Sequence, residues 1–351
     1  MGLMLKFLTN ASMSFVCLRT YITLTISLLL CQNNNALSLK SIDKFFDNED
    51  TPISFVQAGE STFLNGYIDV TNFEDKFIAV GSDGRIDWIS ASGEIIKSVK
   101  IPDVELNCIS TFDKHIITAG DNGIIFISSD DDTFRKLDSG TDKNINAITL
   151  FKGKIVACGD NGQILLGDKK GLFRKIQLNL KGNIVSVSSR ASDCYGVTDE
   201  GEIIYTNDGI SWDVFDFNKN YSGYYKPCQF SCVLATENRI AVIGIYIDGS
   251  PVLMFSSRGK VWTERTLNYT DDEGKIFFLK EIPNDIIYLI SKDQFIITCS
   301  EGRVITIPSC SHCNKLYVLS SENLKGISAN ENSLLIVGDK DYIKTINMEF
   351  F

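Results

Sequence analysis

Residues 77–90 read Phe77-Ile-Ala-Val-Gly-Ser-Asp-Gly84-Arg-Ile-Asp-Trp-Ile-Ser90, two apolar runs joined by an Asp-Gly pair. The pattern returns at residues 116–128, 155–166 and 194–206. The turn glycines of the four copies are 39 residues apart: Gly84, Gly123, Gly162 and Gly201. Asx-Gly between apolar, β-branched runs is a strong hairpin signal, because a type I′ turn needs positive φ at both central residues. The chain is therefore predicted to repeat one hairpin-containing unit, with the Glu200-Gly201 turn the weakest match.

The repeat unit has room for four short strands, because a second hairpin precedes each Asx-Gly turn. Four strands in about 40 residues is the size of one β-propeller blade. Less regular copies of the pattern, centred on Gly249, Gly302 and Asp341, bring the number of units to seven. The sequence thus predicts an all-β fold, a seven-bladed β-propeller of four-stranded antiparallel blades.

The last unit has too few residues after its third strand for a fourth. An open ring would leave strand edges exposed. We therefore expect the segment Ile53-Ser-Phe-Val56 to supply the missing strand and to close the propeller from its N-terminal side.

The first 38 residues have the features of a signal peptide. The apolar run Tyr21–Cys31 is too short to span a bilayer comfortably, and Ala36-Leu-Ser38 fits a cleavage site. An uncleaved anchor and a lipid-modified Cys31 are the alternatives. The prediction is an exported protein, secreted, periplasmic or at the cell surface, without a stable membrane span. Its segments are a signal peptide, a linker or short helix and the propeller, over residues 1–38, 39–51 and 52–351.

Composition restricts the classes of partner. The net charge of −10 argues against nucleic acid, whose phosphates require basic surfaces. Only two histidines are present, which limits metal binding and imidazole catalysis. A monomer without a cofactor or a metal ion is expected.

The eight cysteines after residue 38 fall into three groups. Cys228 and Cys232, four apart on one predicted strand, should share a face of that strand at a separation too great for a disulfide. Cys310 and Cys313 have the spacing of a metal knuckle, but a disulfide suits an exported protein better; free thiols and a metal site remain open. Four more are predicted to be buried on strands: Cys108, Cys158, Cys194 and Cys299.

A second pattern follows the third strand of two units. Residues 128–134 and 206–212 both read hydroxyl-x-Asp-x-x-hydroxyl-aromatic, around Asp130 and Asp208. This pattern resembles the Asp-box turns of sialidase-like propellers, one residue shorter than usual. With the preceding Gly-Asp-x-Gly-x-Ile hairpins, the chain also resembles propellers related to the photosystem II assembly and stability factor. The resemblance implies a propeller in which both aspartates hold turns together.

The loop over residues 217–228 is longer than the other connections between units and carries Tyr221, Tyr224 and Tyr225. Exposed tyrosines are favoured at interfaces, because they offer apolar area with a polar tip. These three residues are the candidate binding site, for a protein or a glycan. The alternative is that they pack over an opening of the ring.

The favoured function is a non-catalytic exported propeller that acts as a protein- or glycan-binding or scaffold module. A glycoside hydrolase of sialidase-like type on the same fold is the alternative. Such an enzyme needs an arginine cluster for a substrate carboxylate and paired catalytic groups. By the phase of the repeat, the arginines after residue 38 fall mostly in turns or on outer strands, so enzymatic activity is not expected.

Overall fold

The computed structural model describes residues 53–54, 66–112, 114–128, 133–271, 273–309 and 314–350, with backbone alone at 53–54. These residues form eight antiparallel sheets, of which seven are the blades and the eighth is a two-stranded hairpin. The inner strand of every blade packs against the inner strand of the next, and the seventh packs against the first. The predicted all-β, seven-bladed propeller is confirmed.

The strands are numbered in chain order, and β1 (Ile53–Ser54) precedes the blades. Blade 1 comprises β2 (Tyr67–Phe73), β3 (Lys76–Gly81), β4 (Arg85–Ile89) and β5 (Ile95–Lys100). Blade 2 comprises β6 (Leu106–Phe112), β7 (His115–Gly120), β8 (Ile125–Ser128) and β9 (Thr133–Leu137). Blade 3 comprises β10 (Ile145–Phe151), β11 (Lys154–Gly159), β12 (Gln163–Gly167) and β13 (Arg174–Gln177). Blade 4 comprises β14 (Ile184–Ser189), β15 (Cys194–Thr198), β16 (Glu202–Thr206) and β17 (Asp213–Asp216), followed by the one-turn helix α1 (Phe217–Asn220).

Blade 5 comprises β18 (Cys228–Ala235), β19 (Ile240–Tyr246), β20 (Pro251–Ser256) and β21 (Thr263–Glu264). A separate hairpin, β22 (Asn268–Thr270) and β23 (Ile276–Phe278), follows it. Blade 6 comprises β24 (Pro283–Leu289), β25 (Gln294–Cys299), β26 (Arg303–Pro308) and β27 (Lys315–Val318). Blade 7 comprises β28 (Leu324–Ala329), β29 (Ser333–Gly338) and β30 (Tyr342–Asn347). Short 3-10 turns lie at Ser82–Gly84, Asp121–Gly123, Asp160–Gly162, Ile290–Lys292, Ser300–Gly302 and Met348–Phe350.

The turns between second and third strands have the predicted backbone in most blades. Asp83 and Gly84 have φ angles of 65° and 70°. The left-handed pair recurs at Asn122–Gly123, Asn161–Gly162 and Glu301–Gly302. In the Glu200–Gly201 turn only the glycine has positive φ, at 77°. A glutamate at the first turn position is therefore compatible with the common geometry at Glu301 but does not adopt it at Glu200.

A β-bulge interrupts the pairing near the start of the inner strand in all seven blades. In blade 5 the bulge lies between Phe230 and Cys232. Because an extra residue reverses the alternation of side chains, Cys228 packs with the apolar core on one side of the blade. Cys232 contacts the core on the other side. The prediction that these two cysteines share a face is therefore wrong.

Apolar side chains between adjacent blades form the core. In the cluster between blades 1 and 2, for example, Val80 and Ile86 pack with Leu106 and Ile109. The four cysteines predicted to be buried strand residues are buried as expected, on β6, β11, β15 and β25.

The closing strand is placed differently from the prediction. Ile53 and Ser54 pair with Phe134 and Thr133 at the outer edge of blade 2, and blade 7 has three strands within the described residues. The seam between blades 7 and 1 closes instead by face-to-face packing. Its apolar cluster joins strands of both blades: Tyr67, Val70, Phe77, Ala79, Ile89, Leu335 and Val337. Buried apolar surface can close the ring without a shared strand, because each blade presents a complete face to its neighbour.

The predicted signal peptide and linker, including Cys31, lie outside the described residues, so the segment boundaries stay predictions. Within the described part of the chain, no helix has the length and apolar character needed to cross a membrane.

Candidate functional site

The inner strands surround a central cavity of about 290 Å³. Side chains at the bulges donate hydrogen bonds to the first carbonyl of the next blade. Asn107 Nδ2 bonds Ile145 O at 3.2 Å, and Asn284 Nδ2 bonds Leu324 O at 2.8 Å. Asn146 and Ser231 make the equivalent bonds to Ile184 and Pro283. The bulges therefore join neighbouring blades where backbone pairing cannot.

The residue after the bulge also joins neighbouring blades, because its side chain accepts a hydrogen bond from a backbone N–H of the next blade. Asp69 Oδ2 accepts from Ile109 N of blade 2 at 2.8 Å. Asp285 Oδ2 accepts from Ile327 N of blade 7 at 2.9 Å. Ser186 Oγ accepts from Val233 N of blade 5 at 3.1 Å.

Together, the bonds donated at the bulges and the bonds accepted just after them cross all six seams between consecutive blades, from blade 1 to blade 7. Within the described residues, no bond of this kind crosses from blade 7 to blade 1. In blade 7, Lys325 occupies the bulge position and Gly326 the position after it. The sequence holds a signal for part of this ring, since Asn107 and Asn146 are one period apart. The sequence analysis missed Asp69 and Asp285, because an aspartate does not recur at this position from one blade to the next.

The two carboxyl groups face the same cavity. Burial and the charge of Asp285 raise the pKa of Asp69 to about 7, although it accepts two backbone N–H bonds. Burial also raises the pKa of Asp285. Two ionised carboxylates in one cavity repel each other, and protonation of one relieves the repulsion.

Stability should therefore fall as pH rises from about 4 to about 7. A raised carboxyl pKa means that the folded state binds a proton more tightly than the unfolded state, whose pKa is near 3.8. We expect a loss on the order of 2 kcal/mol over this range. Urea unfolding at pH 5 and pH 8 measures it, and Asp69→Asn should reduce the difference. An equal difference in the variant would show that another group titrates.

The tyrosine loop is fixed by packing and hydrogen bonds. Tyr221 and Tyr225 are half-buried against Phe217, with ring centroids 4.8 and 5.9 Å away, and Tyr221 Oη accepts from Trp262 N at 2.9 Å. Tyr224 is 84% exposed. Of the three predicted binding residues, the structure thus leaves one open to solvent and uses two to support the loop.

A second exposed apolar residue lies beside this loop. Ile247 is 76% exposed, and its N–H donates to Pro227 O at 2.8 Å. Asn218 anchors the loop from the other side, through two bonds to the backbone of Cys228. The loop is a connection between blades, so it lies on the same face of the propeller as the Asx-Gly turns. We call Tyr224 and Ile247 the loop patch.

The Asp-box-like turn of blade 4 is structural, as expected. Asp208 Oδ1 accepts from the N–H groups of Ile210 and Ser211, both at 2.7 Å. These bonds lower the pKa of Asp208 to about 2. Trp212 Nε1 donates to Gly209 O at 3.2 Å. Blade 5 repeats the Trp-Gly bond with an arginine in place of the aspartate, and Asp130 lies outside the described residues.

The opposite face carries two adjoining cavities of about 690 and 620 Å³. The first lies at the ends of the inner strands of blades 5 to 7, where Asn72 of blade 1 also contributes, and the second lies between blades 5 and 6. We call them together the groove, because both are lined by Asn238, Arg239, Phe295 and Ser309. Sequence analysis missed the groove, since its residues come from turns of separate blades.

Neither the central cavity nor the groove is lined by the three arginines that a sialidase-like site needs. Arg85 pairs with Asp87 and Asp341, and Arg190 pairs with Asp193 at 2.5 Å. Arg239 and Arg265 line the groove together. No cluster of three or more potential metal ligands occurs among the described residues. Cys310 and Cys313 lie outside them, so their predicted disulfide is untested.

The fold and these surfaces define a seven-bladed propeller with an exposed loop patch on one face and a groove on the other. No protein-family model and no curated protein matches the chain. Among solved structures, it is similar to YCF48 bound to D1 peptide, with a TM-score of 0.63 and 13% identity over 86% of this chain and 96% of that one. It is also similar to the computationally designed Ika8 protein, with a TM-score of 0.59 and 8% identity over 82% of this chain and 98% of that one. At such identities the likeness concerns the fold alone.

Proposed function

We propose that this chain is a non-catalytic binding and scaffold propeller that contacts a partner protein through the loop patch. The observation that carries the proposal is the exposure of Tyr224 and Ile247 on a loop whose backbone is held in place. Large apolar side chains on a rigid support lose little conformational entropy on binding. The similar propeller YCF48, solved with a bound peptide, supports a binding role for this fold.

Tyr221 and Tyr225 belong to the proposed site as supports beneath Tyr224. Export through residues 1–38, a monomeric state and an evolutionary relation to Asp-box propellers are part of the same proposal. A glycan is the other ligand class that a tyrosine-rich surface suits. Size-exclusion chromatography with light scattering tests the monomer, and mass spectrometry of the protein from its host tests cleavage after the signal peptide.

The loop patch is tested by affinity capture from extracts of the host, with quantitative mass spectrometry. We expect at least one partner to be retained by the wild type and lost with Tyr224→Ala. Leu172→Ala is the matched control, because Leu172 is 71% exposed on blade 3, away from the loop. Capture that is the same for Tyr224→Ala and Leu172→Ala would contradict the proposal.

Glycoside hydrolysis remains the alternative function. A panel of fluorogenic glycosides tests it on the purified propeller. The proposal expects no turnover above a heat-denatured sample, and turnover that depends on one side chain of the central cavity or the groove would overturn it.

A further inference from the structure

Blade 7 is one strand narrower than its neighbours. Within the described residues its sheet has three strands, and β30 is the outer one. The 3-10 turn Met348–Phe350 follows directly, and the Phe350 ring lies 5.4 Å from Tyr317 of blade 6, so these residues turn toward blade 6 instead of pairing with β30. The fourth strands of blades 1 and 6, β5 and β27, therefore stand on either side of an open strand edge. We call β30 with these two flanking strands the recess.

The register of β30 shows which of its backbone groups face outward. Met348 N donates to Asn332 O at 3.1 Å, and the pairing of β29 with β30 has no shift. Hydrogen-bonded pairs alternate with non-bonded pairs along an antiparallel ladder. The N–H and C=O groups of Ile343, Thr345 and Asn347 therefore point away from β29. Among the described residues no strand pairs with this side of β30, so three residues present backbone groups for pairing.

The depth of the recess restricts what can enter it. It is one strand spacing deep, about 4.8 Å, because β5 and β27 occupy the fourth position in the neighbouring blades. A single extended segment fits such a space. The outer strand of a second folded propeller would meet β5 and β27 before it reached β30. In each of the other six blades a fourth strand covers the third, and an extended polypeptide can supply the same backbone groups here.

The wall of the recess toward blade 1 is apolar. Ile343 packs against the apolar cluster between blades 7 and 1. Ile95 of β5 pairs with Ile89 of that cluster, so its side chain lies on the same face of blade 1, and it is 49% exposed. A Cβ atom at Gly93 would lie 3.2 Å from Thr345 Oγ1, which places this part of blade 1 against β30. An added strand with apolar side chains on this side would remove Ile95 from water.

The wall toward blade 6 is basic. Lys344 of β30 pairs with Ile336, and Lys315 of β27 pairs with Thr306, which pairs with Ile296. Both isoleucines belong to the cluster between blades 6 and 7, so both lysines lie on the faces that these blades turn toward each other. The two lysines are exposed and form no ion pair with the described residues. A lysine on an open edge discourages pairing with apolar strands, whereas carboxylates on the added strand would compensate its charge.

We propose that the recess binds an extended segment of a partner protein, with alternating apolar and acidic residues, as the fourth strand of blade 7. The alternation follows from the strand period of two, which sends successive side chains to the apolar wall and to the basic wall. Backbone pairing with Ile343, Thr345 and Asn347 supplies affinity, and the two walls select the sequence. The recess lies on the outer rim at blade 7, and Tyr224 lies between blades 4 and 5, so this site does not depend on the loop patch.

The test uses a fluorescein-labelled nonapeptide in which Val and Glu alternate. Fluorescence anisotropy with the whole protein should show binding at least about tenfold tighter than that of two control peptides. One control has the same composition with Val and Glu in separate blocks, so it lacks the strand pattern. The other is the alternating peptide N-methylated at its central residues, so it lacks N–H donors for β30. Equal binding of either control, or no binding of the alternating peptide, would overturn the proposal.

Variants of the protein locate the bound peptide. Thr345→Pro removes an outward N–H and places a ring in the path of the added strand, so it should weaken binding about tenfold or more. Lys175→Pro is the matched control, because Lys175 is exposed on the outer edge of blade 3 and the register of β13 also turns its N–H outward. Lys344→Gln should weaken binding about threefold, and Lys175→Gln should not. Tyr224→Ala should leave it unchanged.

Peptide affinities that are the same in the Thr345 and Lys175 variants would contradict the proposal, because the peptide would then bind elsewhere. Melting temperatures of all variants establish that they are folded.

Hydrogen exchange tests whether the edge is open before a partner binds. In the free protein the amide of Thr345 should exchange without protection, and the alternating peptide should slow its exchange at least about tenfold. Protection of this amide in the free protein would overturn the proposal. If that protection were independent of protein concentration, the chain itself would cover β30, and if it rose with concentration, a second copy would.

Discussion

Replacing Arg85 with methionine is expected to lower the free energy of unfolding by about 3–5 kcal/mol, because it leaves a buried charge without its partner. Asp87 is 1% exposed and accepts from Tyr67 Oη at 2.6 Å. Arg85 lies 3.4 Å from Asp87, reaches Asp341 of blade 7, and stacks over the Tyr67 ring at 4.2 Å. Arg85 therefore provides a polar contact across the seam between blades 7 and 1, where the inner strands make no hydrogen bond of the kind seen at the other seams.

Urea unfolding followed by tryptophan fluorescence measures this effect. The double variant Arg85→Met/Asp87→Asn should recover part of the loss, since it removes both charges. Lys100→Met is the control, because it breaks the exposed pair with Asp83 and should cost less than about 1 kcal/mol. Equal losses for Arg85→Met and Lys100→Met would mean that the seam depends on its apolar cluster alone.

Gly159→Ala is expected to cost about 3 kcal/mol by steric overlap. A Cβ atom at Gly159 would lie 1.8 Å from the carbonyl oxygen of Asn144, just before the inner strand of the same blade. Its φ of −169° is ordinary extended backbone, so the cost comes from contact alone. The overlap recurs on the second strands of three other blades, with hypothetical contacts of 1.8–2.1 Å at Gly120, Gly244 and Gly338.

Chemical unfolding compares this variant with Gly223→Ala, where nothing lies within 4 Å of the added atom. We expect that control to stay within about 0.5 kcal/mol of the wild type. A Gly159→Ala protein of unchanged stability would show that the inner strand can shift away from the second strand.

The sequence carries the fold because the interactions that define a blade are local. A hairpin such as the one at Asp83–Gly84 depends on two turn residues. The length of the repeat can then be read from the number of residues between successive turns. The bulges are not visible in the same way, because they arise from how inner strands meet around the cavity. This is why the faces of Cys228 and Cys232 were misassigned.

The seam and the groove depend on residues far apart in the chain. The pairing of Ile53 with Phe134 and the contact of Arg85 with Asp341 both join distant segments, and no local pattern selects one partner over another. The tyrosine loop was recognised by length and composition, but burial alone separates Tyr224 from its two neighbours. Arg239 and Arg265 become neighbours only once blade 5 is folded.

A cross-link at the seam between blades 7 and 1 tests most directly that the ring is closed, on which both proposed surfaces depend. A Cβ atom at Gly326 would lie 3.2 Å from Cγ1 of Val70, and the sulfur of a cysteine at position 70 can take the place of that Cγ1, about 3 Å from the Cβ of the second cysteine as in a disulfide. The double variant Val70→Cys/Gly326→Cys should form this disulfide on oxidation, and peptide mass spectrometry should find the two segments joined. If no cross-linked peptide forms on oxidation and both new thiols stay free, the result would contradict face-to-face closure of blade 7 on blade 1.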